Sequence, residues 1–191
     1  MGKMMKLPAM VLLMGLLLSG CTSGTSPTPS QSPPPSTTQS SPPPTTAVTQ
    51  GNQVGNLAPD FQLNNLEGNS VSLSGFRGKP VLLNFWASWC SPCGVEMPYL
   101  QQIHDSYSAR GLVLLEVDYG ESSDTVKGFM SAHNLSLQVL LDMDKKVALT
   151  YGITAIPTTF FIDKNGIIRQ KFIGAFPNKE TIENELRKIL P

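Results

Sequence analysis

The stretch from Asn84 to Cys93 reads N-F-W-A-S-W-C-S-P-C and carries the side chains best suited to chemistry. Cys90 and Cys93 are separated by Ser91 and Pro92. At that spacing two cysteines can close a small disulfide ring, provided the first stands where a helix begins. The free N–H groups and the dipole of a helix start favour a thiolate over a thiol. Cys90 is therefore expected as an exposed, acidified nucleophile and Cys93, one turn on, as its buried partner.

Other uses of the pair fit less well. A disulfide this local closes almost no chain and contributes little loop entropy. Zinc needs four ligands, and only His104 and His133 remain, at a separation that fits no usual zinc pattern. Haem attachment needs a histidine after the second cysteine, where Gly94 stands. Thiol–disulfide chemistry is expected, with no metal and no cofactor. His104, His133 and the eight methionines read as helix surface or core filler.

The flanking patterns supply the elements that must position the cysteines. Val81, Leu82, Leu83, Phe85 and Trp86 predict a buried strand over 80–86. Val95, Glu96, Met97, Leu100, Ile103 and Tyr107 recur about a turn apart and predict a helix after Cys90. Residues 58–63 and 66–73 read as a hairpin turning at Glu67-Gly68-Asn69. Leu112 to Val117 is an apolar strand broken only by Glu116, and Ser122 or Ser123 caps a helix carrying Val126, Phe129 and Met130. A short strand over 137–141 and a short helix over 145–151 follow. Two strands, 158–163 and 167–173, flank Lys164-Asn165-Gly166, and Asn178 caps a last helix with Ile182, Leu186 and Leu190. This succession predicts a mixed α/β sheet covered on both faces.

Strand 112–117 should lie parallel to strand 80–86, joined by a right-handed crossover through the active-site helix. The carboxyl ends of parallel strands share one sheet edge, where α/β proteins build sites. Cys90 stands just past one such end and Glu121 just past the other. Glu121 is thus either part of the site or a solvated acid ahead of a helix N-terminus.

The chain opens with Lys3 and Lys6 before an apolar stretch from Leu7 to Leu18, shorter than the roughly 20 residues of a membrane span. Leu18-Ser19-Gly20-Cys21 resembles the lipobox of bacterial lipoproteins. That resemblance implies a signal peptide over 1–20 and an acylated Cys21 that anchors the protein to the lipid membrane; the alternative is an ordinary signal peptide and a stray cysteine. Residues 21–50 are rich in Ser, Thr and Pro and carry no charge, so they are expected as a disordered tether. Proline stiffens such a chain towards about 3.1 Å per residue, a reach of roughly 90 Å at the limit. The folded domain is expected over 51–191, long enough for one core. Formal charge is +0, and no basic cluster points to nucleic acid.

W-C-S-P-C after a buried strand, Pro98, and Ile156-Pro157-Thr158 before a strand resemble the thioredoxin fold. A-P-D-F-Q-L near the start, S-G-F-R-G-K-P, and an insert over 120–141 are similar to the TlpA/ResA-like branch. The resemblance implies a thioredoxin-like α/β fold with an N-terminal β-hairpin and a central strand–helix insert. It also implies an extracytoplasmic, membrane-anchored thiol–disulfide oxidoreductase. Its partners would be an oxidised protein substrate, such as apocytochrome c in cytochrome c maturation, and a membrane thiol electron donor. Pro157 maps onto the family's cis-proline, which faces the active-site disulfide. Trp89, Ser91, Pro92 and Ile156 would then line the substrate side, and Trp86 would pack around the site. Asn84 stands where thioredoxins carry a buried aspartate, so proton chemistry for Cys93 must come from another group. The family pattern has a glutamate matching Glu121, implicated in that proton chemistry. Two alternatives stay open: a peroxiredoxin-like thiol peroxidase, usually with its cysteine in T-x-x-C, and a copper-handling module of the Sco type, which needs C-x-x-x-C and a distal histidine.

Overall fold

A computed structural model describes residues 48–190. The expected signal peptide, Cys21 and the tether up to residue 47 lie outside the described residues. In chain order the described residues form β1 (Gln62–Asn65), β2 (Ser70–Ser72), β3 (Val81–Trp86), α1 (Ser91–Tyr107), β4 (Val113–Asp118) and α2 (Ser123–Ala132). Then come β5 (Gln138–Leu141), α3 (Lys146–Thr150), β6 (Thr158–Ile162), β7 (Ile168–Ile173) and α4 (Lys179–Leu186).

All six residues of β3 are buried, because the strand is sandwiched between two apolar layers. It pairs in parallel with β4, Asn84 opposite Glu116 and Trp86 opposite Asp118, and antiparallel with β6. The sheet runs β2-β1-β5-β4-β3-β6-β7. The predicted crossover through α1 joins β3 to β4, and the predicted insert supplies α2 and β5, which pairs in parallel with β4. The β1–β2 hairpin turns at Gly68, whose φ of 83° suits a residue without Cβ, and extends the sheet beyond β5.

Alternate residues of the strands feed two cores. Leu82 and Phe161 pack with Met97, Leu100 and Ile103 of α1 and Ile182 and Leu186 of α4. On the other face Leu83, Phe85, Leu115 and Phe160 pack with Val147 and Tyr151. Helix ends follow local chemistry: the Ser122 hydroxyl accepts from Thr125 N, and Asn178 Oδ1 accepts from Thr181 N.

Two sequence expectations change. Val95 is 60% exposed whereas Glu96 is fully buried, because the inner face of α1 runs Cys93, Glu96/Met97, Leu100, Ile103 and leaves Val95 outside it. The last helix ends at Leu186, so Leu190 follows it in a half-buried tail.

Candidate active site

Cys90 is the N-cap of α1, and its sulfur accepts a hydrogen bond from Cys93 N at 3.2 Å. Cys90 and Cys93 form a disulfide with Cα atoms 5.2 Å apart. The chain turns directly from β3 into a helix at this point, so the first sulfur meets the positive end of the helix. Cys93 is completely buried, as expected. Cys90, expected exposed, retains only 5% exposure. The disulfide ties its sulfur to the inward-facing Cys93, and the Ile156 carbonyl oxygen lies 3.7 Å away on the other side.

Ile156–Pro157 is a cis peptide at the entry to β6. Ile156 is half-buried and Pro157 buried, while Ser91, Pro92 and Trp89 are exposed, Trp89 at 64%. Trp89, Tyr119 and residues 153–156 line a cleft of about 130 Å³, and one of these residues, Ile156, is the one whose carbonyl meets the Cys90 sulfur. The segments after β3, after β4 and before β6 thus meet at one sheet edge, which is how residues far apart in the chain share a site. Trp86 lies beneath it, fully buried against Phe129 at 5.1 Å between ring centroids.

Glu121 reaches this edge from the end of β4. Its two carboxylate oxygens accept from Ser88 N and the Ser88 hydroxyl, both at 2.6 Å, and its own N–H donates to Asp118 Oδ2 at 2.7 Å. It therefore grips the segment two residues before Cys90. Burial raises the Asp118 carboxyl to about 7, with repulsion from Glu121 and Asp142 adding to the effect.

A polar network absent from the sequence reading lies under the cysteines. Asn84 Nδ2 donates to Glu96 Oε1 at 3.2 Å and to Glu116 Oε2 at 2.9 Å, and Asn84 Oδ1 accepts from Thr159 Oγ1 at 3.0 Å. Glu96 Oε2 accepts from Phe176 N at 3.0 Å. Burial pushes Glu96 up to about 7, opposed by those two N–H donors. Glu96 stands three residues beyond Cys93 on the inner face of the same helix, one turn away. Its signal in the sequence was a charged residue in phase with apolar ones, and Glu116 likewise interrupted an apolar strand. The arrangement offers a nearly buried first sulfur at a helix start, a fully buried second sulfur and a buried carboxyl able to hold a proton near neutrality.

Comparison with known proteins agrees with this chemistry. Residues 54–171 match the model of the AhpC/TSA family. The thiol–disulfide oxidoreductase ResA of Bacillus thuringiensis is 39% identical over 139 residues, covering 73% of this chain and 80% of that protein. ResA of Geobacillus kaustophilus is 41% identical over 138 residues, covering 72% and 79%. A crystal structure from Chlorobium tepidum, described as a thiol:disulfide interchange protein DsbE, superposes with a TM-score of 0.65 at 31% identity, covering 74% of this chain and 97% of that one. A disulfide at a helix start beside a cis-proline, on a scaffold shared across most of these sequences, has one reading: the chain belongs to the AhpC/TSA family, among its ResA-like thiol–disulfide oxidoreductases of thioredoxin fold.

Proposed function

We propose that this oxidoreductase works outside the cytoplasm, held to the membrane by acylated Cys21, and reduces disulfides in protein substrates such as apocytochrome c. The observation that carries the proposal is the Cys90 sulfur at the start of α1, 3.7 Å from the carbonyl of Ile156, the residue that precedes cis-Pro157 and lines the cleft. The lipobox-like Leu18–Cys21 segment supports the anchor, and the ResA relatives support the substrate class.

In the proposed cycle the Cys90 thiolate attacks a substrate disulfide. That S–S bond breaks, a Cys90–substrate bond forms, and the first substrate sulfur leaves as a thiolate that takes a proton from solvent. Cys93 then gives its proton to the Glu96 carboxylate and attacks the Cys90 sulfur. The Cys90–Cys93 bond forms, the second substrate thiolate departs, and two electrons have passed from the dithiol to the substrate. A membrane thiol donor would restore the dithiol. Trp89, Ser91, Pro92 and Ile156 form the rim against which the substrate peptide lies. Glu121 contributes from that rim through its grip on Ser88, and its charge bears on the proton chemistry of both thiols.

The test is trapping. Cys93→Ser should accumulate mixed disulfides through Cys90, and Cys90→Ser should abolish insulin reduction. Trapping by Cys90→Ser instead would reverse the nucleophile. A reduction potential near about −120 mV, the range of strong oxidants, would overturn the direction of electron flow. Reduced protein that consumes hydrogen peroxide faster than it reduces insulin would move the reading to a peroxidase. Cys21→Ser should release the protein from membranes and leave its reductase chemistry intact.

A further inference from the structure

One charged side chain packed against the wall of the cleft has no part in the cycle above. The residues that line the cleft, Trp89, Tyr119 and 153–156, carry no charge themselves. Tyr119 N donates to Trp86 O at 2.8 Å and Cys90 N donates to Ala87 O at 3.1 Å. The end of β4 and the Cys90 turn are thus fixed to adjacent residues. The Lys145 ammonium lies 4.6 Å from the centre of the Tyr119 ring.

Two local features put it there. Lys145 has a φ of 60°, in the left-handed region that a residue with a Cβ enters only at a cost. Its stem crosses Gly120, where a Cβ would collide with Lys145 Cε and stand 3.2 Å from Cγ. Gly120 itself has a φ of 87°, so the loop after β4 offers bare backbone as a bed for the stem.

The charge is not consumed by a neighbouring acid. Among the described residues no carboxylate lies within 4.0 Å of Lys145 Nζ. The acids nearest to it on the two loops are committed elsewhere. Glu121 gives both oxygens to Ser88, Asp142 gives both to Val147 N and Ala148 N, and Asp144 gives both to Lys146. An ammonium held over an aromatic face keeps N–H donors for a further partner.

We propose that Lys145 is a specificity residue that selects protein disulfides flanked by an acidic side chain, its ammonium pairing with that carboxylate while exchange proceeds at Cys90. The neutral lining offers contact to any peptide, and Lys145 adds a charge that distinguishes one peptide from another.

This rests on the reading of the site as one that exchanges disulfides with proteins, and the test separates the two. The reduced protein is given disulfide-linked peptides carrying Asp, Asn or Lys at one of the three positions on either side of the cysteine. Cleavage of the Asn peptides reports the exchange itself. At one position or more Asp should exceed Asn by about fivefold in kcat/KM, mainly through KM, the scale of a part-exposed ion pair. Raising the salt to about 1 M should shrink the preference, since the screening length falls to about 3 Å. The ratio between peptides is then read within each variant. Lys145→Gln, which keeps a polar stem and loses the charge, should bring the Asp-to-Asn ratio close to one. Lys145→Arg should preserve the preference and Lys145→Glu should reverse it. No preference for Asp at any position, or an undiminished preference in Lys145→Gln, would overturn the proposal. Slow cleavage of every peptide would refute the reductase reading alone, and the same ratio is then measured with the oxidised protein and the peptide dithiols. Absence of exchange in both directions would overturn both.

Discussion

Glu121 holds the loop before Cys90, whereas Glu96 lies on the inner face of α1 one turn beyond Cys93, so mutation should separate their effects. Glu121 spends both oxygens on Ser88, two residues before Cys90. Glu121→Gln keeps one acceptor and loses the charge, so the alkylation rate of the reduced thiols should change its pH dependence while the melting temperature falls little. Superimposable rate profiles would reduce Glu121 to surface charge. Glu96→Gln removes the buried proton acceptor. Initial attack by Cys90 should survive, whereas resolution by Cys93 should slow by about 10²-fold or more, the usual contribution of a positioned base. Quenched time courses of mixed-disulfide decay distinguish the two steps.

Secondary-structure elements deliver these groups through their ends, and the ends differ in strength. The exposed Ser122 hydroxyl caps α2 by accepting from Thr125 N at 3.2 Å. Asp142, fully buried, accepts from Val147 N at 3.2 Å and Ala148 N at 2.8 Å, and so anchors α3 to the end of β5. Ser122→Ala should cost about 1 kcal/mol. Asp142→Ala leaves two buried donors unpaired and should cost more, on the order of 2–4 kcal/mol. Urea denaturation of the oxidised protein gives both values, and equal losses would contradict the difference in burial. The neighbouring Asp118–Glu121 link ties the loop after β4 to the cysteine loop, so loosening this corner should also raise the accessibility of Cys90 to alkylation after reduction.

Across the whole molecule the buried acids dictate how stability varies with pH. Glu96 is raised from 4.5 to about 7, Asp118 from 3.8 to about 7, and Glu116 well above 4.5. A carboxyl with a raised pKa in the folded state binds more protons folded than unfolded. Its contribution is therefore complete below the unfolded value and is lost as pH rises through the folded one. Asp60 and Asp163 are lowered, the N–H of Ser74 holding the first, and the N–H of Ile167 and the Arg169 side chain the second. Their contributions are lost as pH falls below the ordinary carboxylate range. The oxidised domain should accordingly be most stable in mild acid, near about pH 5, and lose a few kcal/mol towards about pH 8. Urea midpoints across that range check this, and Glu96→Gln should flatten the alkaline limb. A stability that rises from about pH 5 to 8 would show that the buried acids ionise without cost.

The spacing of Cys90 and Cys93, the apolar run before them and the helical period after them determined the redox pair, because strand, turn and helix are contiguous and obey local periodicity. The order of strands and helices was legible for the same reason, down to the cap at Asn178, while at α2 the sequence left Ser122 and Ser123 open and the cap is Ser122. Pro157 and Glu121 could be placed near the site through the resemblance and through the rule that parallel strand ends share an edge. Tertiary structure alone decided the exposure of Cys90, since the Ile156 carbonyl that covers it arrives from 66 residues away. It alone decided that Glu96 turns inward while Val95 turns out. It alone joined Asn84, Glu96, Glu116 and Thr159, drawn from α1 and three strands, into one hydrogen-bonded set. Burial and pairing of a charged side chain depend on what packs across the sheet, and that partner is written nowhere near it in the sequence.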